Sequence, residues 1–241
     1  MIEFLHRTHS ADHKEKNMKT GYSKFFWLII LAGAFLIANT VFAQNVIKKY
    51  VYQDYDSDDT VYKKSNHSFI VMPASAADGT GIVGVKYIDE KGLDKSQCIM
   101  ISFGNLKEPP RWAGVVFPVK ANYFGEKEAE VEKEAETEKL VLNLERARKL
   151  VFYAKGENGG ERIQVKAAFA GDKPKGDSAL FPVISRWLTL GKDWSRYEVP
   201  IDNPGQLTRV ITPFAVIASL AYNPGGAITI YLDEIYYELE N

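Results

Sequence analysis

The fold is decided by KLVFYAKGENGGERIQVKAAF at residues 149–169, together with AITIYLDEIYYEL at residues 227–239. In both stretches apolar and polar side chains alternate over the length of a β-strand, and the turn signal Asn158-Gly159-Gly160 divides the first. Successive side chains of a strand point to opposite faces, so this alternation is typical of a sheet with one buried face. The two stretches therefore predict antiparallel β-structure.

Seven further segments of strand length occur along the chain, and turn signals rich in Gly, Pro and Asn separate them. Patterns with helical periodicity are almost absent. About ten short strands at this spacing predict an all-β protein, an antiparallel β-sandwich or jelly roll. The further segments are 67–73, 81–89, 96–103, 112–119, 187–190, 194–201 and 214–219.

An apolar segment without charged residues runs from Phe25 to Ala43, and Lys19 and Lys24 precede it. This arrangement predicts a hydrophobic signal helix within a signal peptide at 1–43, cleaved before Gln44, and hence a secreted, periplasmic or cell-envelope protein. Met18 would give the peptide an ordinary basic start, so residues 1–17 are interpreted as a mis-assigned extension. The alternative is an uncleaved membrane anchor, since the segment nearly spans a bilayer.

The remainder, 44–241, is predicted to form a single jelly-roll domain. The chain has a formal net charge of −1, and such a balance does not attract nucleic acid. The segment 125–139, GEKEAEVEKEAETEK, contains Val131 as its only large apolar side chain. It is interpreted as a charged loop insertion, and the alternative is a protruding recognition element. Cys98, the single cysteine, lies in an apolar run and is predicted to be a buried strand residue.

Three spaced elements carry a family resemblance: FYAKGENGGE at 152–161, the Leu-Thr-x-x-x-x-Trp-x-x-Tyr element at 188–197, and IYLDEIYYE at 230–238. In their order and spacing the chain resembles the galactose-binding-like jelly rolls that serve as carbohydrate-binding modules in secreted bacterial proteins. The resemblance covers roughly residues 140–240. It implies a jelly-roll fold, with a polysaccharide or other glycan as the expected ligand, although this fold hosts many functions.

Sugar binding by such domains needs an aromatic ring for the apolar face of a pyranose and polar groups for its hydroxyls. Trp112 and Trp187 each open a strand after a loop and are candidate ligand-facing rings, whereas Trp194 is expected to lie in the core. Alternation also predicts one sheet face that carries four candidate ligand-binding side chains. The alternative is an ordinary solvated face. The four are Tyr153, Lys155, Gln164 and Lys166.

Related jelly rolls often hold a structural Ca²⁺ between the first strand and the last one, and the resemblance implies such a site here. YQDYDSDD at 52–59 offers Asp54 and Asp56, and the last strand offers Asp233. Carboxylate oxygens are the ligands that Ca²⁺ prefers. The alternative is that the aspartates cap a solvated turn.

Catalytic motifs have little support in the sequence. Asp233 and Glu234 are adjacent, so on a strand they point apart and cannot act as an acid–base pair. A dyad of His67 and Cys98 would need a thiol from an apolar run. The sequence therefore predicts a secreted, non-catalytic carbohydrate-binding protein. The alternatives are an envelope protein that docks a protein partner through the sandwich and, third, a polysaccharide-active enzyme.

Overall fold

The structure is a computed structural model that describes residues 46–52, 69–73, 83–89, 91–119, 141–171 and 175–241. The predicted signal peptide at 1–43, the loop at 125–139, and Asp54 and Asp56 lie outside these ranges. No helix formed by the described residues is long and apolar enough to cross a membrane.

The described residues form twelve β-strands and one short 3-10 helix, Pro204–Gln206. In chain order the strands are β1 (Ile47–Tyr52), β2 (Ile70–Met72), β3 (Val83–Ile88), β4 (Cys98–Phe103), β5 (Trp112–Phe117), β6 (Ala147–Gly156), β7 (Arg162–Ala167), β8 (Val183–Ile184), β9 (Leu188–Thr189), β10 (Ser195–Pro200), β11 (Phe214–Ser219) and β12 (Ile228–Leu239).

The strands form two six-stranded sheets in which every pairing is antiparallel. We call them the front sheet and the back sheet. The front sheet has the order β2-β5-β11-β7-β8, and β9 also pairs with β7. The back sheet has the order β10-β6-β12-β4-β3, and β1 also pairs with β12. The predicted all-β antiparallel sandwich is confirmed.

One hydrophobic core lies between the two sheets, formed by alternate residues of the strands. Leu150, Phe152 and Ala154 of β6 are fully buried in it. The Phe152 ring meets that of Phe214 of β11 edge to face, with centroids 5.6 Å apart, and this contact joins the back sheet to the front sheet. Burial of each large apolar side chain stabilises the fold by about 1.5–3 kcal/mol, so strands this short depend on the partner sheet.

The connection between β6 and β7 passes from one sheet to the other and does not close a hairpin. β6 pairs with β10 and β12 in the back sheet, whereas β7 pairs with β11, β8 and β9 in the front sheet. Gly159 (φ 80°) and Gly160 (φ 97°) adopt the left-handed conformation that this crossing requires. The prediction that Tyr153, Lys155, Gln164 and Lys166 share one sheet face is therefore wrong. The first two lie on the back sheet and the other two on the front sheet.

A β-bulge in β12 decides which way its side chains point. Glu234 has a φ of 46°, and the register with β6 shifts between Asp233 and Tyr236. Before the bulge Leu232 faces the core, and after it Ile235 does. The bulge inserts one extra residue between these two inward side chains, so they are three positions apart and not two. Asp233 is thereby left on the outer side of the back sheet.

Candidate binding cleft

A cleft of about 360 Å³ opens on the outer surface of the front sheet. Its volume lies within the range of about 300–1,000 Å³ that is usual for small-molecule sites. Strands β2, β5, β7 and β11 form its floor, and residues that follow β7 and β8 close it. The lining residues are Met72, Trp112, Gly114, Val116, Gln164, Lys166, Phe169, Trp187, Ala215, Ile217 and Ser219.

The depth of the cleft comes from small side chains on its central strands. Ala215 of β11 lies between Val116 of β5 and Lys166 of β7 in the antiparallel register, and Ser219 lies opposite Trp112. Gly114 of β5, opposite Ile217, contributes no side chain. Larger residues on either side of these small ones leave a depression whose floor is mainly apolar.

Trp112 opens β5 at one side of the cleft, and its side chain keeps 36% of its surface exposed. A large exposed indole is costly to hydrate and is easily covered by a flat apolar surface. Because its partner across the strands, Ser219, is small, the cleft side of the ring stays open.

Trp187 is held in position by two residues behind it. Its indole stacks on the ring of Tyr222, with centroids 4.0 Å apart and an interplanar angle of 21°. The guanidinium carbon of Arg162 lies 4.9 Å from the centroid of the same Tyr222 ring. One face of Trp187 is thus covered, and the residue still lines the cleft. A ring fixed in this way loses little conformational entropy when a ligand stacks on it.

Two polar side chains, Gln164 and Lys166, extend from β7 into the cleft. The Nε2 of Gln164 donates a hydrogen bond to the carbonyl oxygen of Ser185 at 3.1 Å, which orients the amide and leaves Oε1 as an acceptor. Lys166 forms no ion pair with any described residue. The cleft therefore offers an oriented acceptor and a cationic donor beside two indoles.

The structure brings four of the six predicted ligand-binding residues together in this cleft: Trp112, Gln164, Lys166 and Trp187. Tyr153 and Lys155 lie on the back sheet and do not line it. The prediction missed the floor, including Ala215 and Ser219. The sequence does contain a pattern that could have indicated them. Both are small residues on the outward side of the alternating segment FAVIAS, 214–219.

The prediction that Trp194 lies in the core is wrong. Its side chain is half-exposed, and Lys155 Nζ lies 5.0 Å from the ring centroid on the outer side of the back sheet. Trp194 precedes β10, and the inward positions of that strand are taken by Tyr197 and Val199. The Tyr197 ring stacks on the core residue Phe152, with centroids 5.5 Å apart, so no inward position remains for Trp194.

Asp233, the predicted metal ligand of β12, is buried with 1% of its surface exposed. Its Oδ2 accepts a hydrogen bond from the N–H of Leu93 at 2.8 Å, and its Oδ1 accepts one from the N–H of Glu234 at 2.8 Å. The described part of the chain contains no group of three or more His, Cys, Asp or Glu side chains that could hold a metal ion. The calcium site stays a prediction, since its other ligands lie outside the described residues.

Cys98 is fully buried in β4, as predicted. Burial, with the negative charge of Asp233 as a second cause, raises the pKa of the Cys98 thiol to about 11. At pH 8 about one thiol in a thousand is then ionised, and the thiolate is the reactive form. His67 lies outside the described residues.

The native protein is therefore expected to resist thiol reagents. We expect Ellman's reagent at pH 8 to leave Cys98 unmodified in buffer and to modify one thiol per chain in denaturant, because unfolding removes the burial that raises the pKa. Rapid reaction of the folded protein would contradict the buried position of Cys98.

No protein-family model matches the sequence, and no curated protein sequence matches it significantly. Among solved structures, the chain is similar to a family 30 carbohydrate-binding module, with a TM-score of 0.51 and 12% identity over 82% of this chain and 90% of that chain. A family 11 carbohydrate-binding module from Clostridium thermocellum, in complex with a β-1,3-1,4-mixed-linked tetrasaccharide, has a TM-score of 0.46 and 13% identity over 80% of this chain and 98% of that chain. The first similarity shows the fold, and the predicted jelly roll is confirmed.

Proposed function

We propose that the protein is a non-catalytic carbohydrate-binding protein and that the cleft of the front sheet holds a segment of a polysaccharide. The observation that carries the proposal is the placement of Trp112 and Trp187 at one cleft with Gln164 and Lys166. Indole faces cover the apolar face of a pyranose, and the amide and ammonium groups can bond its hydroxyls. The similarity to a carbohydrate-binding module supports the same reading.

The open shape of the cleft favours weak binding. A shallow site that stacks one or two sugar rings buries little surface, so we expect dissociation constants in the micromolar to millimolar range, about −8 to −4 kcal/mol. Of the described residues that line the cleft, Lys166 is the single cation and none is acidic. One ammonium group can donate hydrogen bonds to sugar hydroxyls, so uncharged polysaccharides are the ligands that we expect.

Affinity gel electrophoresis against a panel of soluble neutral polysaccharides tests this function. The full chain is expected to migrate more slowly in gels that contain one or more of these polymers. Trp194→Ala is the matched control, since this indole lies on the other sheet and the retardation should persist. Normal migration in every gel would contradict the proposal.

Non-catalytic status is a separate part of the proposal and has a separate test. Among the described residues that line the cleft there is neither a carboxylate nor a histidine, the groups that general acid–base hydrolysis of a glycosidic bond uses. Incubation with every polysaccharide that the protein retains is expected to release no reducing ends and no unsaturated products. Release of either would show that the protein is a polysaccharide-active enzyme.

We propose that the protein is exported through the segment at 25–43 and is secreted, periplasmic or otherwise held in the cell envelope. N-terminal sequencing of the protein recovered from the envelope or medium is expected to begin at Gln44. A start upstream of Phe25 would instead indicate an uncleaved membrane anchor.

A structural Ca²⁺ held by Asp54, Asp56 and Asp233 also remains a proposal. Both oxygens of Asp233 already accept backbone N–H groups, so it would contribute one of its remaining lone pairs. A bound ion stabilises the folded state by mass action. EGTA is therefore expected to lower the melting temperature and added Ca²⁺ to restore it. A melting temperature that EGTA leaves unchanged would end this proposal.

Docking of an envelope protein is the alternative function, and one feature favours it. Leu180 and Phe181 expose 83% and 71% of their surfaces, and Gln206 fixes the backbone between them through hydrogen bonds to both N–H groups. Exposed apolar side chains on a fixed backbone are common in protein interfaces. The gel experiment separates the two functions, because a docking protein would not be retarded by neutral polysaccharides.

A further inference from the structure

A second pocket, of about 480 Å³, opens on the outer surface of the back sheet and shares no lining residue with the cleft. We call it the lysine pocket. Two glycines, Gly92 and Gly156, form part of its wall without side chains. The other lining residues are three lysines, two aromatic residues and one acidic residue: Lys91, Lys155, Lys192, Trp194, Tyr231 and Glu157.

Aromatic rings hold two of the three ammonium groups in place without neutralising them. Lys155 Nζ lies 5.0 Å from the centroid of the Trp194 ring and 5.1 Å from that of the Tyr231 ring. Lys91 Nζ lies 5.8 Å from the centroid of Tyr231. A cation within about 6 Å of a ring centroid is attracted by the ring but keeps its full charge. The ammonium groups of Lys91 and Lys155 are therefore positioned before any ligand arrives.

The carboxylate in the wall of the pocket and a buried one beside it both accept hydrogen bonds from other groups. Glu157 accepts a hydrogen bond from the hydroxyl of Tyr231. Asp233, buried beneath Gly92, accepts hydrogen bonds from backbone N–H groups. Among the described residues, none of the three lysines forms an ion pair. The pocket thus combines three cations with one carboxylate in its wall.

Another lysine of the back sheet shows the contrast. Lys149 Nζ lies 3.1 Å from an oxygen of Glu198 and 3.2 Å from an oxygen of Glu238, so its charge is compensated twice. Lys149 is thus neutralised by its neighbours, whereas the three lysines of the pocket are not. Their positive potential favours an anion at the pocket.

We propose that the lysine pocket is a second binding site, for an anionic sugar unit that carries a carboxylate or a sulfate. The lysines would contact the anion, and the side chains of Trp194 and Tyr231 would pack against the sugar ring. The site does not depend on the proposed function, because the cleft on the front sheet can bind or fail to bind independently of it.

Titration calorimetry of the full chain with three probes tests the proposal. The probes are an oligogalacturonate for the carboxylate source, a heparin-derived oligosaccharide for the sulfate source, and a neutral cello-oligosaccharide. At about 0.15 M salt, where long-range attraction is screened, at least one anionic probe is expected to bind. Lys155→Gln should weaken that binding about tenfold. Lys192→Gln, which changes an exposed side chain, should weaken it to a similar extent.

Two matched variants keep the result specific. Lys149→Gln removes a paired cation from the same sheet, and Trp112→Ala alters the cleft, and both should leave the affinity for the anionic probe within about twofold. Failure of both anionic probes to bind would overturn the proposal. An equal loss in Lys149→Gln would show unspecific attraction, and an equal loss in Trp112→Ala would place the anion in the cleft. Either result would also overturn it.

Discussion

Trp187→Ala and Trp112→Ala are each expected to weaken polysaccharide binding about tenfold, and the double variant about a hundredfold, which abolishes detectable retention. Truncation of a rigid aromatic residue at the centre of a site commonly costs 1–2 kcal/mol or more, and about 1.4 kcal/mol corresponds to tenfold. The two rings lie on different elements and do not stack on each other, so their effects should nearly add. The measurement is calorimetry with the polysaccharide that retards the protein most.

The same variants should fold normally, and this separates binding from stability. Trp112 is exposed at a strand start, and Trp187 packs on a surface residue, Tyr222. Neither belongs to the core. Circular dichroism is expected to show melting temperatures close to that of the unmodified protein. Unchanged affinity in the double variant would contradict the assignment of these indoles to ligand binding.

Asp177→Ala is expected to destabilise the fold by about 3–5 kcal/mol. Asp177 exposes 3% of its surface, and its Oδ1 accepts hydrogen bonds from the N–H groups of Ile211 at 2.6 Å and Thr212 at 3.2 Å. Its Oδ2 accepts one from the N–H of Ala170 at 2.7 Å and another from the hydroxyl of Thr212. The substitution would leave these buried donors without a partner, and each such donor carries its full desolvation cost.

Thermal unfolding measures this loss, with Asp193→Ala as the control. In a domain of this size 1 kcal/mol shifts the melting temperature by about 2–4 °C, so Asp177→Ala should lower it by roughly 10 °C. Asp193 is exposed, and its side chain makes no hydrogen bond with a described residue, so its substitution should change stability by less than about 0.5 kcal/mol. Equal melting temperatures for the two variants would contradict the structural role of Asp177.

The alternation of apolar residues predicted most strands, because burial on one face is a local property of the sequence. The segment 214–219 became β11 with the same bounds, and 149–156 became the main part of β6. β8 was not predicted, since its two residues, Val183–Ile184, are too few to show a period. Leu188–Thr189 alone remains of the predicted strand at 187–190.

The choice of sheet for each strand could not be predicted in this way. Lys155 and Gln164 both face outward on their strands, as alternation indicates, yet they lie on different sheets. Pairing depends on contacts between residues far apart in the chain, such as β6 with β12 and β7 with β11. The position of Trp194 could not be predicted for a similar reason. It depends on which residues of β10 face the core, and these are Tyr197 and Val199.

Nuclear magnetic resonance of the indole N–H groups tests the proposed cleft most directly. The chain contains four tryptophans, and single Trp→Phe variants assign their signals. On titration with a neutral oligosaccharide cut from the retained polysaccharide, the signals of Trp112 and Trp187 should shift together and saturate with one dissociation constant. The signal of Trp194 should stay in place. Movement of Trp194 while Trp112 and Trp187 remain unchanged would contradict binding in the cleft of the front sheet.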